Sequence, residues 1–114
     1  MLQLTVKELE PKIAALVFSG RIMVGPQSQK IESQVGELLK KGYTAIIFEL
    51  SSVSHMDSTG VGQFIASQTQ VMKVGARLLL AGANPVIRDV FRVTRLDSVF
   101  RFFDDLDSAL KSLR

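Results

Sequence analysis

The stretch HMDSTGVG, residues 55–62, places a histidine, a carboxylate and two adjacent hydroxyls directly ahead of a helical pattern. His55, Asp57 and Ser58 are the residue types of a nucleophilic triad. Such a triad needs the base held between nucleophile and acid, each within hydrogen-bond reach, whereas neighbours this close on one loop point in different directions. The G-x-S-x-G pattern of a nucleophile elbow is also missing. Gly60 and Gly62 supply a G-x-G, but Ile65 stands where a dinucleotide fingerprint needs Gly or Ala, and G-x-x-x-x-G-K-[ST] occurs nowhere. The residues therefore match neither hydrolysis nor nucleotide binding, and no catalytic or cofactor-binding residue is assigned.

A cap fits better. Asp57 or Ser58 is expected to start the helix, its side-chain oxygen accepting a backbone N–H bond worth about 1 kcal/mol. Capping alone does not account for Asp, Ser, Thr and two glycines together. Glycines beside a hydroxyl at a helix start leave it exposed and let a partner's backbone approach closely. A phosphate at that position is favoured by the free N–H groups and the helix dipole, yet adds roughly −1.5 to −2 charge beside Asp57. The pattern thus describes a site that takes phosphate without unfolding and loses a docked partner when it does.

The elements that must position this loop follow from periodicity. Residues 2–9 alternate, with Leu2, Leu4 and Val6 on one face, and IAALVFSG follows the break at Glu10–Lys12, giving a hairpin-like strand pair. After a connection over Gly20–Gln27, Ile31, Val35, Leu38 and Leu39 mark one face of a helix over 27–41, ended by Gly42. The run 44–50 is apolar on both faces, as a central strand covered from both sides requires. A helix from the motif to near Gly75, a strand over 76–83, a helix from Asn84–Pro85 to about Thr94, a short strand over 99–103 and a terminal helix complete the pattern. Asp104, with Asp107 three residues on, is read as the last helix's cap. Strands separated by helices imply parallel pairing. The expectation is one α/β domain over 1–114, with a mostly parallel β-sheet, an N-terminal strand pair and about four helices. The parallel strand preceding the motif would put Ser58 at the C-terminal edge of the sheet, where such folds present functional groups.

Composition narrows the function classes. The chain has 46% hydrophobic and 22% charged residues, ordinary for a globular domain, no cysteine and one histidine, which leaves no thiolate or histidine-cluster metal site. No apolar run approaches the length of a membrane span, and the first residues carry charges where a signal peptide would be apolar, so a cytoplasmic protein without membrane insertion is expected. The net charge of +3 lacks the dense basic patch and interleaved aromatics of a nucleic-acid binder. Arg88, Arg92 and Arg95, at i, i+4 and i+7, read as a solvated basic stripe.

The segments IIFELSSVSHMDSTGVG and GARLLLAGANPVIRDVFRVTRLDSVFRFFDDLDSAL resemble the anti-sigma factor antagonists, stand-alone STAS domains, over almost the whole chain. The most specific element is D-S-[ST]-G-[LV]-G, here Asp57 to Gly62. The resemblance implies a non-enzymatic protein that binds an anti-sigma factor and thereby frees a sigma factor for transcription. It also implies that the anti-sigma factor is a serine kinase of the GHKL type, that Ser58 is the phosphoacceptor with Thr59 as fallback, and that a PP2C-type phosphatase reverses the modification. Asp57, Ser58, Thr59, Gly60, Val61 and Gly62, with Arg21 and Met23, would form the partner-binding face. Family members usually read G-E-L-D where this chain has GRIM, so Arg21 and Met23 replace acids near the phosphorylation loop. The alternatives are an unphosphorylated STAS subunit of a membrane ABC lipid-transport complex, bound to its ATPase, and a nucleotide-binding STAS domain.

Overall fold

The structure, a computed structural model, describes residues 1–114. Strands β1 (Leu2–Glu10) and β2 (Ile13–Ile22) form the antiparallel pair, in register from Leu2↔Gly20 to Glu8↔Ala14, with an irregularity before Glu10. Helix α1 (Lys30–Lys40) leads to β3 (Ala45–Met56), α2 (Ser58–Lys73) to β4 (Arg77–Ala81), and α3 (Pro85–Val93) to β5 (Arg101–Phe103). Helix α4 (Leu106–Ser112) ends the chain. The sheet order is β1-β2-β3-β4-β5, and every pair after the first is parallel. This is the expected α/β architecture, with four helices.

The main core lies between the sheet and α1–α3. Leu16, Phe18, Ile46, Phe48, Leu50, Leu78 and Leu80 point there from alternating strand positions, against Ile31, Val35, Phe64, Ile87 and Phe91. Phe64 joins the layers, its ring 4.8 Å from that of Phe48 and 5.9 Å from that of Phe91, within the range of favourable aromatic contacts. On the opposite face, Ile47, Leu79 and Ala81 meet Ala109 of α4, flanked by Leu106 and Leu110. Residues 45–48 are buried on both faces for that reason. Helices α1 and α2 are tied across their surfaces by two glutamines. Gln63 Oε1 accepts from Glu32 N (3.2 Å), and Gln70 Nε2 donates to Glu32 O (2.8 Å).

Three boundaries differ from the sequence reading. Strand β3 continues past residue 50 to Met56, outrunning β4 and pairing there with β2 alone. Helix α1 begins at Lys30 rather than residue 27, because residues 26–29 turn first and Gln29 supplies no side-chain cap. The cap of α4 is Asp105, whose Oδ1 accepts from Ser108 N (2.8 Å), while Asp104 lies 3.8 Å from Arg88. Gly42, at φ 96°, closes α1 as expected, and Tyr43 N donates back to Leu38 O (3.2 Å).

Candidate functional site

Strands β2 and β3 deliver two adjacent loops to one end of the sheet, and Asp57 joins them. Its backbone N–H donates to Ile22 O (3.1 Å) at the end of β2. Its Oδ1 accepts from Gly60 N (3.1 Å) in the first turn of α2, as an N-cap does. Its Oδ2 accepts from Val24 N (2.9 Å) in the loop after β2. One carboxylate therefore caps a helix and holds a loop 33 residues away in sequence. The second contact has no sequence signal, because Val24 offers only a backbone group.

Ser58 occupies the first position of α2 and is exposed; Thr59 follows, half-buried. Beneath them the helix start is packed hard against the strands. A Cβ on Gly60 would lie 2.7 Å from Ile22 Cγ2, 2.8 Å from Met56 Cγ and 2.9 Å from Ile22 O. The close backbone approach at Gly60 is thus made by this chain's own β2. Val61 is buried alongside it, whereas Gly62 is exposed and has open space where a Cβ would stand. Gly62 is exposed on the same helix start, and Arg21, near the end of β2, and Met23, in the loop after it, are exposed at the same end of the sheet. The structure brings all eight sequence-selected residues to this end of the molecule, with Gly60 and Val61 supporting the surface from below.

The triad types do not assemble. His55 Nδ1 lies 2.9 Å from Ser54 Oγ, and both Asp57 oxygens are occupied by backbone N–H groups. His55 stands opposite Arg21 in the β2–β3 register, so two basic side-chain types face each other just ahead of the loop. No group of three or more His, Asp or Glu side chains is placed to hold a metal ion. The groups with displaced pKa values lie elsewhere. Hydrogen bonding to Ser108 holds Asp105 below its ordinary 3.8, and the hydrogen bond to Glu8 raises Tyr43 above its ordinary 10.0. Nor do Arg88, Arg92 and Arg95 form a stripe. Arg95 lies beyond α3 in the left-handed region (φ 61°), Arg92 pairs with Asp89, and Arg88 faces Asp104.

Known proteins resemble this chain throughout. The STAS domain model matches residues 6–109. The TM1081 homolog of Thermotoga neapolitana is 31% identical over 78 residues, 68% of this chain and 69% of that protein. The anti-sigma-F factor antagonist RsfB of Mycobacterium tuberculosis is 26% identical over 84 residues, 74% of this chain and 68% of RsfB. Among solved structures, the anti-sigma factor antagonist SpoIIAA in its unphosphorylated form superposes with a TM-score of 0.85 at 20% identity, over 98% of this chain and 96% of that one. The phosphorylated form of the Bacillus protein gives 0.76 at 19% identity, over 98% and 100%. No helix of this chain is long and apolar enough to cross a membrane.

Proposed function

The chain belongs to the STAS domain family, and from that premise we propose that it is an anti-sigma factor antagonist whose binding to an anti-sigma factor is switched off by phosphorylation of Ser58. The observation that carries this reading is an exposed hydroxyl at the first position of α2, beside a capping aspartate whose oxygens are already engaged. A phosphate there gains from the helix N-terminus, so the fold tolerates it. On the surface it presents added negative charge and bulk to whatever is docked, and like-charge contacts at an interface cost several kcal/mol. The antagonist role of RsfB and the phosphorylated form of SpoIIAA support the same reading. The partner is an anti-sigma factor that is itself a GHKL-type serine kinase, a PP2C-type phosphatase resets the switch, and the exchange takes place in the cytoplasm.

The test is incubation of the chain with its anti-sigma factor and ATP, followed by intact-mass and peptide analysis. One phosphate on Ser58, or on Thr59 in the Ser58→Ala variant, is expected. Ser58→Ala keeps partner binding and Ser58→Glu weakens it at least tenfold. An active kinase that modifies neither hydroxyl, or equal affinities for wild type, Ser58→Ala and Ser58→Glu, overturns the switch.

A further inference from the structure

The opposite end of the sheet carries a different chemistry. Because β2 to β5 are parallel, the β1–β2 turn, the C-termini of α1 and α2 and the start of β4 all gather at the end away from Ser58. They bring Lys12, Lys40, Lys41, Lys73 and Arg77 there, and all five side chains are exposed. None enters an ion pair; the ion pairs of the molecule are Arg88–Asp104, Arg92–Asp89, Lys111–Asp107 and Arg114–Glu10. The loops that bear these cations are stitched together by backbone bonds. Thr44 N donates to Lys12 O (2.9 Å), and Arg77 N donates to Thr44 O (3.0 Å). The backbones that carry Lys12 and Arg77 are therefore held on either side of Thr44.

Cations at helix C-termini are favoured by the dipole, which explains Lys40 and Lys73. It does not explain Lys12 or Arg77, nor the apolar residues that stand among them. Met72 is 69% exposed and Val74 64%, flanking Lys73 at the tip of α2. Nucleic acid would call for exposed aromatics on which bases stack. The one aromatic of these turns, Tyr43, is half-buried with its hydroxyl donating to Glu8 (3.1 Å). Lysines surrounding protruding aliphatic tips match instead a bilayer surface, where anionic headgroups attract the cations and the tips enter the headgroup boundary.

We propose that this pole docks on anionic phospholipid membranes, with Lys12, Lys40, Lys41, Lys73 and Arg77 contacting headgroups and Met72 and Val74 seated between them. Docking by this end leaves Ser58 facing away from the bilayer. The proposal stands independently of the phosphorylation switch.

The test is sedimentation of the full chain with phosphatidylcholine vesicles, alone and containing about a third phosphatidylglycerol, at ~0.1 and ~0.5 M salt. Binding to the anionic vesicles at low salt is expected, with loss at high salt and none to phosphatidylcholine alone. Lys40→Gln, Lys41→Gln and Lys73→Gln each lower the partition coefficient about fivefold. Met72→Ser with Val74→Ser lowers it further at unchanged salt dependence, and Ser58→Glu leaves it unchanged. These positions are exposed, so unaltered melting curves certify the folds. Failure to bind anionic vesicles, or binding indifferent to the lysine substitutions, overturns the proposal. So does tighter binding to duplex DNA or to polyglutamate than to the vesicles.

Discussion

Gly60 and Gly62 sit two residues apart in one motif, and the structure gives them opposite roles. At Gly60 an added methyl meets Ile22 Cγ2 at 2.7 Å, Met56 Cγ at 2.8 Å and Ile22 O at 2.9 Å. The first two atoms can shift with their side chains. The third cannot move without displacing the end of β2, which Asp57 N holds through its bond to Ile22 O (3.1 Å). Overpacking of this kind costs about 1–3 kcal/mol, and a rigid backbone atom places it near the upper end. Replacing glycine within a helix returns about 0.5–1 kcal/mol. Gly60→Ala is thus expected to lose about 2 kcal/mol, a fall in Tm of roughly 8 °C for a domain of this size. Gly62→Ala meets nothing within 4 Å, so only the helix term remains. It is expected to gain about 0.5–1 kcal/mol, or roughly 3 °C. Thermal unfolding of both variants, followed by far-ultraviolet circular dichroism, reads the difference. Gly60→Ala as stable as wild type, or Gly62→Ala falling as far as Gly60→Ala, would refute the packing argument. Gly62→Ala, folded and exposed on the same helix start as Ser58, is then the variant that would report on the proposed partner contact.

Asp57→Asn keeps one acceptor for Gly60 N but turns an amide towards Val24 N, and is expected to cost about 1–2 kcal/mol in urea unfolding. Protection of the Val24 amide from hydrogen exchange should fall at the same time. Arg95 closes α3 in the left-handed region, where Leu96 N donates to Phe91 O (2.7 Å), the position that Gly42 and Gly75 fill after α1 and α2. Arg95→Gly relieves a non-glycine side chain there and is expected to raise stability by about 1 kcal/mol, read as a higher Tm. Asp105 is a carboxyl whose folded pKa is depressed, so its contribution is present above its ordinary value of 3.8 and is lost as pH falls through the lower folded value. The stability difference between wild type and Asp105→Asn should be constant above about pH 5 and shrink below that window. A difference that grows on acidification would contradict the capping contact.

The parts of the fold legible in the sequence are those where one period holds. Residues 44–50 read as a central strand because Ile46 and Phe48 enter one core layer while Ile47 enters the other. Beyond Leu50 the alternation fails. The β2–β3 pairing shifts register between Val17 and Ser19 and again between Gly20 and Arg21, so the next buried residues, Val53 and Met56, fall three apart. A period of two cannot follow that, and the strand reads as ended. At α4 the spacing of Asp104 and Asp107 pointed to the wrong one of two adjacent acids. Asp105 became the cap and Asp104 faces Arg88 of α3, a pairing set by tertiary position. Asp57 as a cap was legible from its neighbours, but its hold on Val24 depended on β2 and β3 lying side by side. Gly60 likewise showed its type and hid its reason, since Ile22 stands 38 residues earlier in the sequence.

The distance between the two ends bears on how they can act together. The longest dimension of the molecule is 32 Å, and β3 runs from the cationic end at Ala45 to the switch end at Met56. At physiological salt, charges on the surface are screened over about 8 Å. A phosphate on Ser58 would therefore act on the adjacent Asp57 and hardly at all on the lysines of the far end. Its effect on those lysines would have to pass through a change of fold, and the packing at Gly60 with the double hold of Asp57 resists one at the point of modification. On the two readings proposed above, partner release would answer to phosphorylation and membrane docking to lipid charge. A single small domain can present its switch outward while its opposite end is held on a surface.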